Sequence, residues 1–404
     1  MPWSAVLLVS NGRSDEEADF ADVYAFTGRA SCVLGRAREC EIRLAPGQLE
    51  VSRRHCLIVV RPPHVVVRDL GSRNGTYVNG KLVDEARGEW KLQHGDEVRV
   101  GSTVMHVVVR TDDLPERLPG IWLVRELGRG GQGVVHLAHD TDSGRLVALK
   151  ELTLHGGIDP AAREAFSREL ECTQALRHPN IVRFHGSVTH AGVLGFTCEY
   201  CPRGNVADLV LRHGGRLAID EAVPLALQAL KGLAYAHQAE VPVRLANGRT
   251  TMGHGLVHRD IKPQNLLLTG SSRQPVLKIA DFGLAKAFDQ AGLSGQTPSG
   301  ALGGSVAFMS RRQVINYKYA RPDVDLWAVM ACLYWMLTGR TPRDFPPDAD
   351  PVAVVLREPP VPVRERRSSI PGRLADLMDE MLDEANEALP ASASELSRTL
   401  EEMW

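Results

Sequence analysis

The apolar pattern of this chain changes character near residue 110, and no single layered fold accommodates both halves. From Trp3 to about Arg110, short β-rich runs alternate with turn signals. The runs include Val6–Val9, Cys56–Val60, His64–Arg68, Thr76–Val78, Glu97–Val100 and Val104–Val109. The turns include Gly71-Ser72-Arg73-Asn74-Gly75 and Val78-Asn79-Gly80. Many short strands with no long helical pattern predict a β-sandwich. Residues 111–120 hold two prolines and read as a linker. Beyond them a few strands give way to long amphipathic helices. One is opened by Asp159-Pro160 and runs to about Leu176; another contains Gln228 to His237. The expectation is a multidomain chain: an all-β unit at 1–110, a joint at 111–120 and an α+β unit at 121–404.

The 404 residues leave room for both units. A net charge of −2 gives no electrostatic footprint for nucleic acid or an anionic membrane surface. No stretch approaches the roughly 20 apolar residues of a membrane span. Met1–Ser10 lacks a basic start and a small-residue cleavage site, so it reads as a first strand and not a signal peptide. These features predict a cytoplasmic address. Seven cysteines, an odd number, argue against a disulfide framework. Cys198-Glu199-Tyr200-Cys201 has the spacing of a metal or redox pair, but a second such pair is missing. Two thiols in a buried strand and its exit are the better reading.

The chemistry concentrates in His258-Arg259-Asp260-Ile261-Lys262-Pro263-Gln264-Asn265, followed by Asp281-Phe282-Gly283. These stretches carry a base, a phosphate cation and two hard oxygen ligands for Mg²⁺, the parts that phosphoryl transfer from ATP requires. They resemble the catalytic and metal loops of protein kinases. Gly128-Arg129-Gly130-Gly131-Gln132-Gly133-Val134-Val135 alone is weak, since dinucleotide-binding folds share its core. Here Val147-Ala148-Leu149-Lys150 follows as a strand, which matches the kinase glycine loop.

That resemblance implies a two-lobed α+β kinase fold, with lobes at 121–199 and 200–404. Asp260 would accept or orient the substrate proton, Lys262 neutralise the moving phosphoryl group, and Lys150 pair with ATP phosphates. Glu169, in preference to Glu171, is the expected partner of Lys150. Asn265 and Asp281 would hold Mg²⁺. Gly128, Gly130, Gly133, Val135 and Ala148 would surround ATP, with hinge backbone from Glu199 and Cys201 on adenine and Cys198 at the back pocket. A lysine two residues after the catalytic Asp points to serine or threonine substrates. Arg259 would receive a phosphate from the activation segment, where Thr297 and Ser299 are the autophosphorylation candidates.

In the first unit, Leu34-Gly35-Arg36, Ser52-Arg53-Arg54-His55 and Asn74-Gly75-Thr76-Tyr77-Val78-Asn79-Gly80 come in the order of the forkhead-associated (FHA) domain. A phosphate dianion needs a guanidinium fork with hydroxyl and amide donors on adjacent rigid loops. By this resemblance Arg36 and Ser52 contact phosphothreonine and Asn74 the peptide backbone, with Arg53 and Arg73 adding charge. His55 and Asn79 brace the loops. The combined resemblance is to a bacterial-type serine/threonine protein kinase with an N-terminal FHA domain.

Two stretches depart from that pattern. About fifteen residues near Glu240–His254 are inserted before the catalytic loop and are expected to loop out at the surface. Ser310-Arg311-Arg312 stands where kinases read Ala-Pro-Glu, whose Glu pairs with an Arg near the C-terminus; Glu384–Pro390 has no arginine. A reversed pair is expected, Arg311 or Arg312 with Glu384 or Glu387. The run Arg364–Arg367 is read as a solvated loop.

The expected activity is ATP- and Mg²⁺-dependent phosphorylation of protein substrates, with the FHA domain recruiting phosphothreonine-bearing partners. The alternative is a pseudokinase scaffold. A joint reaching at most about 35 Å, on a module with a radius of gyration near 13 Å, predicts that activation-loop recognition occurs in trans, between molecules.

Overall fold

The computed structural model describes residues 4–10, 20–26, 28–83, 88–110, 118, 120–130, 133–152, 170, 173–190, 193–244, 250–271, 274–282, 306–316, 320–385 and 392–403. The chain splits into two compact units, Met1–Leu127 with His136–Val147, and Gly128–Val135 with Ala148–Trp404.

The first unit contains the sandwich. Six strands lie in the order Phe20–Phe26, Ser4–Ser10, Thr103–Arg110, Glu97–Val100, Thr76–Val78, Lys81–Leu82. Five more lie in the order Ile42–Arg43, Ala30–Gly35, Cys56–Arg61, His64–Asp69, Trp90–Leu92, with the first pair parallel and the rest antiparallel. Side chains alternate between faces with a period of two. Ala5, Leu7 and Val9 therefore all point inward, with Leu7 opposite Val107 and Val9 opposite Met105. Leu34, Ile42, Ile58, Val65 and Val67 close the same core from the second sheet. Burying each such side chain contributes about 1.5–3 kcal/mol, which is what fixes the register. In the same unit Val108 packs against Trp122, Val124 and Leu146.

A third sheet has the order Ile121–Gly130, Gly133–Asp140, Arg145–Leu152, Val193–Glu199, Phe184–His190. Within the second unit the helix Asp323–Thr338 is buried almost all round, as its uninterrupted apolar sequence dictates. It packs against the helix Ile219–Ala236, which also contacts the helix Ala393–Met403. Glu221 accepts the Ala218 N–H and so caps the start of Ile219–Ala236. The hairpin Leu266–Ser271/Gln274–Ile279 connects the His258–Asn265 stretch to Asp281.

The inserted stretch is not an irregular loop. Glu240–Arg244 and Thr250–His254 pair as an antiparallel ladder, and Val241 is 3% exposed in the main core. Alternating Val241 and Val243 around Pro242 carry that pattern, too short to stand out in the sequence. The helix expected from Asp159 to Leu176 and the 111–120 joint fall mostly outside the described residues. Among the described residues no helix is long and apolar enough to cross a membrane.

Candidate functional site

One buried carboxylate organises the loop from His258 to Asn265. Asp325, 1% exposed, accepts the backbone N–H groups of His258 and Arg259, both at 2.8 Å. His237 Nε2 lies 2.8 Å from the same carboxylate. His258 Nδ1 accepts the Asp260 N–H at 3.2 Å, so its Nε2 is the donor to the Ala280 carbonyl at 2.7 Å. Its ring meets Phe282 edge-on, with centroids 4.6 Å apart. Two non-glycine residues here have left-handed backbone, Arg259 (φ 68°) and Asp281 (φ 62°). Such conformations cost on the order of 1–3 kcal/mol each and persist because the surroundings hold them.

The loops bring the predicted chemistry together. Lys262 Nζ lies 2.8 Å from Asp260 Oδ2, and Asn265 Nδ2 donates to the same oxygen at 3.0 Å and to the Asp260 carbonyl at 2.8 Å. That leaves Oδ1 as the Asn265 acceptor. Lys150 Nζ sits 2.6 Å from Asp281 Oδ2, with 12% and 24% of the two side chains exposed. The Ala280 N–H donates to the Asn265 carbonyl at 2.8 Å, tying the two loops to each other. Glu169, Thr297 and Ser299 lie outside the described residues.

The glycines of the first hairpin divide into two kinds. A Cβ at Gly133 would stand 2.0 Å from the Glu151 carbonyl oxygen at φ +153°, so the fold itself demands glycine there. At Gly128 and Gly130 an added Cβ meets nothing within 4 Å. Val135 is half-buried and Ala148 buried. The Glu199 carboxylate turns back to Lys278 (3.0 Å) and the Arg183 N–H (3.2 Å), and its own N–H donates to the Arg183 carbonyl at 2.8 Å, which leaves its carbonyl to face a ligand. Cys201 packs with Val182, Ala280, Cys198 and Leu267. Burial pushes the Cys198 thiol well up and the Cys201 thiol up to about 12, so both remain thiols, as the buried-strand reading expects. Val182 and Ala280 bury Cys201, with Leu267 packed against them, a cluster that sequence reasoning did not single out.

The loops of the sandwich form a second constellation. Arg36 Nε donates to the Val51 carbonyl at 2.9 Å, which fixes the guanidinium through one of its three nitrogens. Ser52 Oγ accepts the Arg73 N–H at 3.0 Å, and a hydroxyl so engaged still has its own proton to donate. Asn74 Nδ2 donates to the Glu50 carbonyl at 2.8 Å. Arg53 and Arg73 are exposed beside them. His55, fully buried, accepts the Ser52 N–H on Nδ1 (3.0 Å) and donates from Nε2 to the Gly75 carbonyl (3.1 Å). Burial holds its pKa below the ordinary histidine value, against the opposing effects of Gly75 and Asp69. Burial would raise Asp69, but hydrogen bonds from Thr76 and Ser72 outweigh it and keep the carboxyl low. Asn79 bridges Asp96 and the Glu97 N–H at 2.8 and 2.9 Å.

At the departure from the kinase pattern, the acid is Glu384. Arg311 reaches it with both its backbone N–H and its Nε, the latter at 3.6 Å. The deeper partner is Arg343, 2.6 Å away and 1% exposed, which the sequence reading did not include. Arg312 instead pairs with Asp323 at 3.4 Å near the surface. The reversed polarity holds, with Arg311 and not Arg312 as its member; Glu387 lies outside the described residues. Arg364–Arg367 is also more engaged than a solvated loop: Arg366 bonds Asp344 at 2.6 Å, and Arg367 Nη1 donates to the Leu217 and Leu337 carbonyls, each at 2.9 Å.

Comparison with known proteins agrees with this geometry. Residues 122–398 match the protein kinase domain. The chain belongs to the protein kinase family. Residues 32–101 of this kinase match the FHA domain. The kinase is 28% identical over 379 residues to serine/threonine-protein kinase cds1 of Schizosaccharomyces pombe, covering 87% of this chain and 77% of that one. It is 32% identical over 218 residues to serine/threonine-protein kinase ATG1a of Arabidopsis thaliana, covering 54% of this chain but only 31% of that one. The crystal structure of Rad53 in complex with AMP-PNP superposes with a TM-score of 0.53 at 20% identity, covering 98% of this chain and 99% of that chain, a likeness of fold. The kinase is thus of the serine/threonine class with an N-terminal FHA domain. Its relatives are mainly eukaryotic, and the bacterial type expected from the sequence is not supported by them.

Proposed function

We propose that this kinase transfers the γ-phosphoryl group of ATP, with Mg²⁺, to serine and threonine hydroxyls of proteins, while its FHA domain recruits phosphothreonine-bearing partners or substrates. The observation that carries the reading is the Asp260 carboxylate held by Lys262 and Asn265, on a loop tied to the Lys150–Asp281 pair. No observation favours the pseudokinase alternative.

The residues fit both small ligands. The open space at Gly128 and Gly130 lets backbone approach phosphates closely. Asn265 Oδ1 and the Asp281 carboxylate are hard oxygen donors, and Mg²⁺ is commonly held by one or two such groups with phosphate oxygens and water. Bound Mg²⁺–ATP supplies the transferable group and the fixed cations. Asp260 accepts or orients the hydroxyl proton of the substrate, and Lys262, already on Asp260, neutralises charge beside it. Lys150 exchanges its contact with Asp281 for phosphate. Arg36, Ser52 and Asn74, fixed by Val51, Arg73 and Glu50, present a preorganised anion site. Domains at 1–110 and 121–404 with a short joint between them favour recognition of a phosphorylated activation loop in a second molecule, with Thr297 and Ser299 as its modification sites. The same reading places this activity in the cytoplasm, as the sequence leads one to expect.

The test is transfer from labelled ATP with Mg²⁺ to the protein itself and to a generic acceptor, beside Asp260→Asn. Incorporation lost in the variant supports the reading, and no incorporation by the parent despite ATP binding overturns it.

A further inference from the structure

The helix Arg311–Ile315 carries a residue that no motif points to. Gln313 is 1% exposed, and its Nε2 donates to the carbonyl oxygen of Arg259. Arg259 immediately precedes Asp260 and has left-handed backbone at φ 68°. Its N–H is already held by Asp325 Oδ1 at 2.8 Å. The strained residue is therefore gripped at both ends by buried side chains, and the grip on the carbonyl adjoins the peptide that leads into Asp260. An arginine in this conformation relaxes unless something holds it.

Gln313 is itself fixed. Its N–H donates to Ser310 Oγ at 3.2 Å, the cap of the short helix. Arg311, which follows that Ser310 cap, donates its N–H to Glu384, which Arg343 grips at 2.6 Å. The short helix is thus anchored to the buried ion pair at Arg311 and to the residue before the base at Gln313. Glutamine suits the place chemically: it is long enough to cross from the helix and donates without adding a buried charge.

We propose that Gln313 is a positioning residue for phosphoryl transfer, holding the Arg259 carbonyl so that the Asp260 carboxylate stays seated on Lys262 and Asn265. Gln313 touches no reacting atom and acts through Arg259. The inference rests on the phosphotransfer reading, which fails separately if the parent enzyme itself shows no transfer.

Two variants of the full chain test it. Gln313→Met keeps length and volume but removes the donor. Its kcat falls about 10- to 100-fold, the scale of a small misplacement of a catalytic group, with KM for ATP unchanged in a protein that still folds. Gln313→Glu keeps the shape, and burial beside a carbonyl favours its protonated form, which alone can donate. Its kcat relative to the parent therefore rises as pH is lowered. Retention of kcat within about twofold in the Met variant, or a loss confined to KM, overturns the proposal. So does a Glu-to-parent ratio that is flat across pH. If the Met variant does not fold, the pH dependence of the Glu variant decides.

Discussion

Arg343 and Glu384 form an ion pair at 2.6 Å with 1% and 9% of their side chains exposed, and Trp327 lies under the guanidinium, its ring centroid 5.3 Å from Cζ. Burial pulls the Arg343 pKa below its ordinary value while Glu384 opposes that. Removing one member of such a pair strands the other in a dry site. Glu384→Gln should lower the stability of the second unit by about 3–5 kcal/mol in urea denaturation. Arg312→Ala, which breaks only the half-exposed pair with Asp323, should cost no more than about 1 kcal/mol. Equal losses from the two variants would mean that burial at Glu384 does not set the difference.

The glycine hairpin separates a demand of the fold from a demand of the ligand. Gly133→Ala drives a Cβ into the Glu151 carbonyl and should destabilise the protein by roughly 1–3 kcal/mol or more. Gly128→Ala and Gly130→Ala meet open space, so thermal stability should hold while KM for ATP rises. Unchanged ATP affinity in both would remove this hairpin from the nucleotide site.

Much of this site was legible because kinase and FHA chemistry is written in contiguous runs. Asp260, Lys262 and Asn265 lie within six residues, and alternation alone marked strands such as Cys56–Arg61 and His64–Asp69. What escaped depends on side chains that meet across the fold. Arg343 lies 41 positions from Glu384, and Gln313 lies 54 from Arg259, with no periodicity or spacing connecting either pair. The Ser310–Arg312 departure did announce a reversed charge, because an arginine in a position that usually holds a buried acid needs an acidic partner. It could not choose between Arg311 and Arg312, since that depends on which way a five-residue helix turns. Leu267 and Ala280 look like ordinary strand residues until the hinge folds over them.

His55 should make the loop that carries Ser52 pH-sensitive. Its neutral ring accepts the Ser52 N–H and donates to Gly75, and burial lowers its pKa in the fold. The unfolded chain therefore takes up a proton near the ordinary value of about 6.5 while the folded one does not. Stability from this group is present above that value and is lost as pH falls toward the lowered folded pKa. Hydrogen-exchange protection of the Ser52 amide in the full chain should drop between about pH 7 and about pH 5.5. Flat protection over that range would show that His55 is not the titrating group. Stability is a better readout than peptide affinity here, because the phosphate itself titrates near pH 6.

Arg36 should resist even the most conservative replacement. Its Nε is spent on the Val51 carbonyl at 2.9 Å, and only the remaining fork of two nitrogens is available to a phosphate. A lysine has a single ammonium, which can keep the anchor or reach the anion but cannot do both in fixed geometry. Arg36→Lys should weaken a phosphothreonine peptide by roughly 1.5–3 kcal/mol, about tenfold or more, nearly as much as Arg36→Ala. Fluorescence anisotropy with the full chain and a labelled phosphothreonine peptide measures this, with the unphosphorylated peptide as baseline. Parent-like binding by the lysine variant would mean that point charge, and not the oriented fork, holds the phosphate. In that case the exposed Arg53 and Arg73 would become the residues to test next.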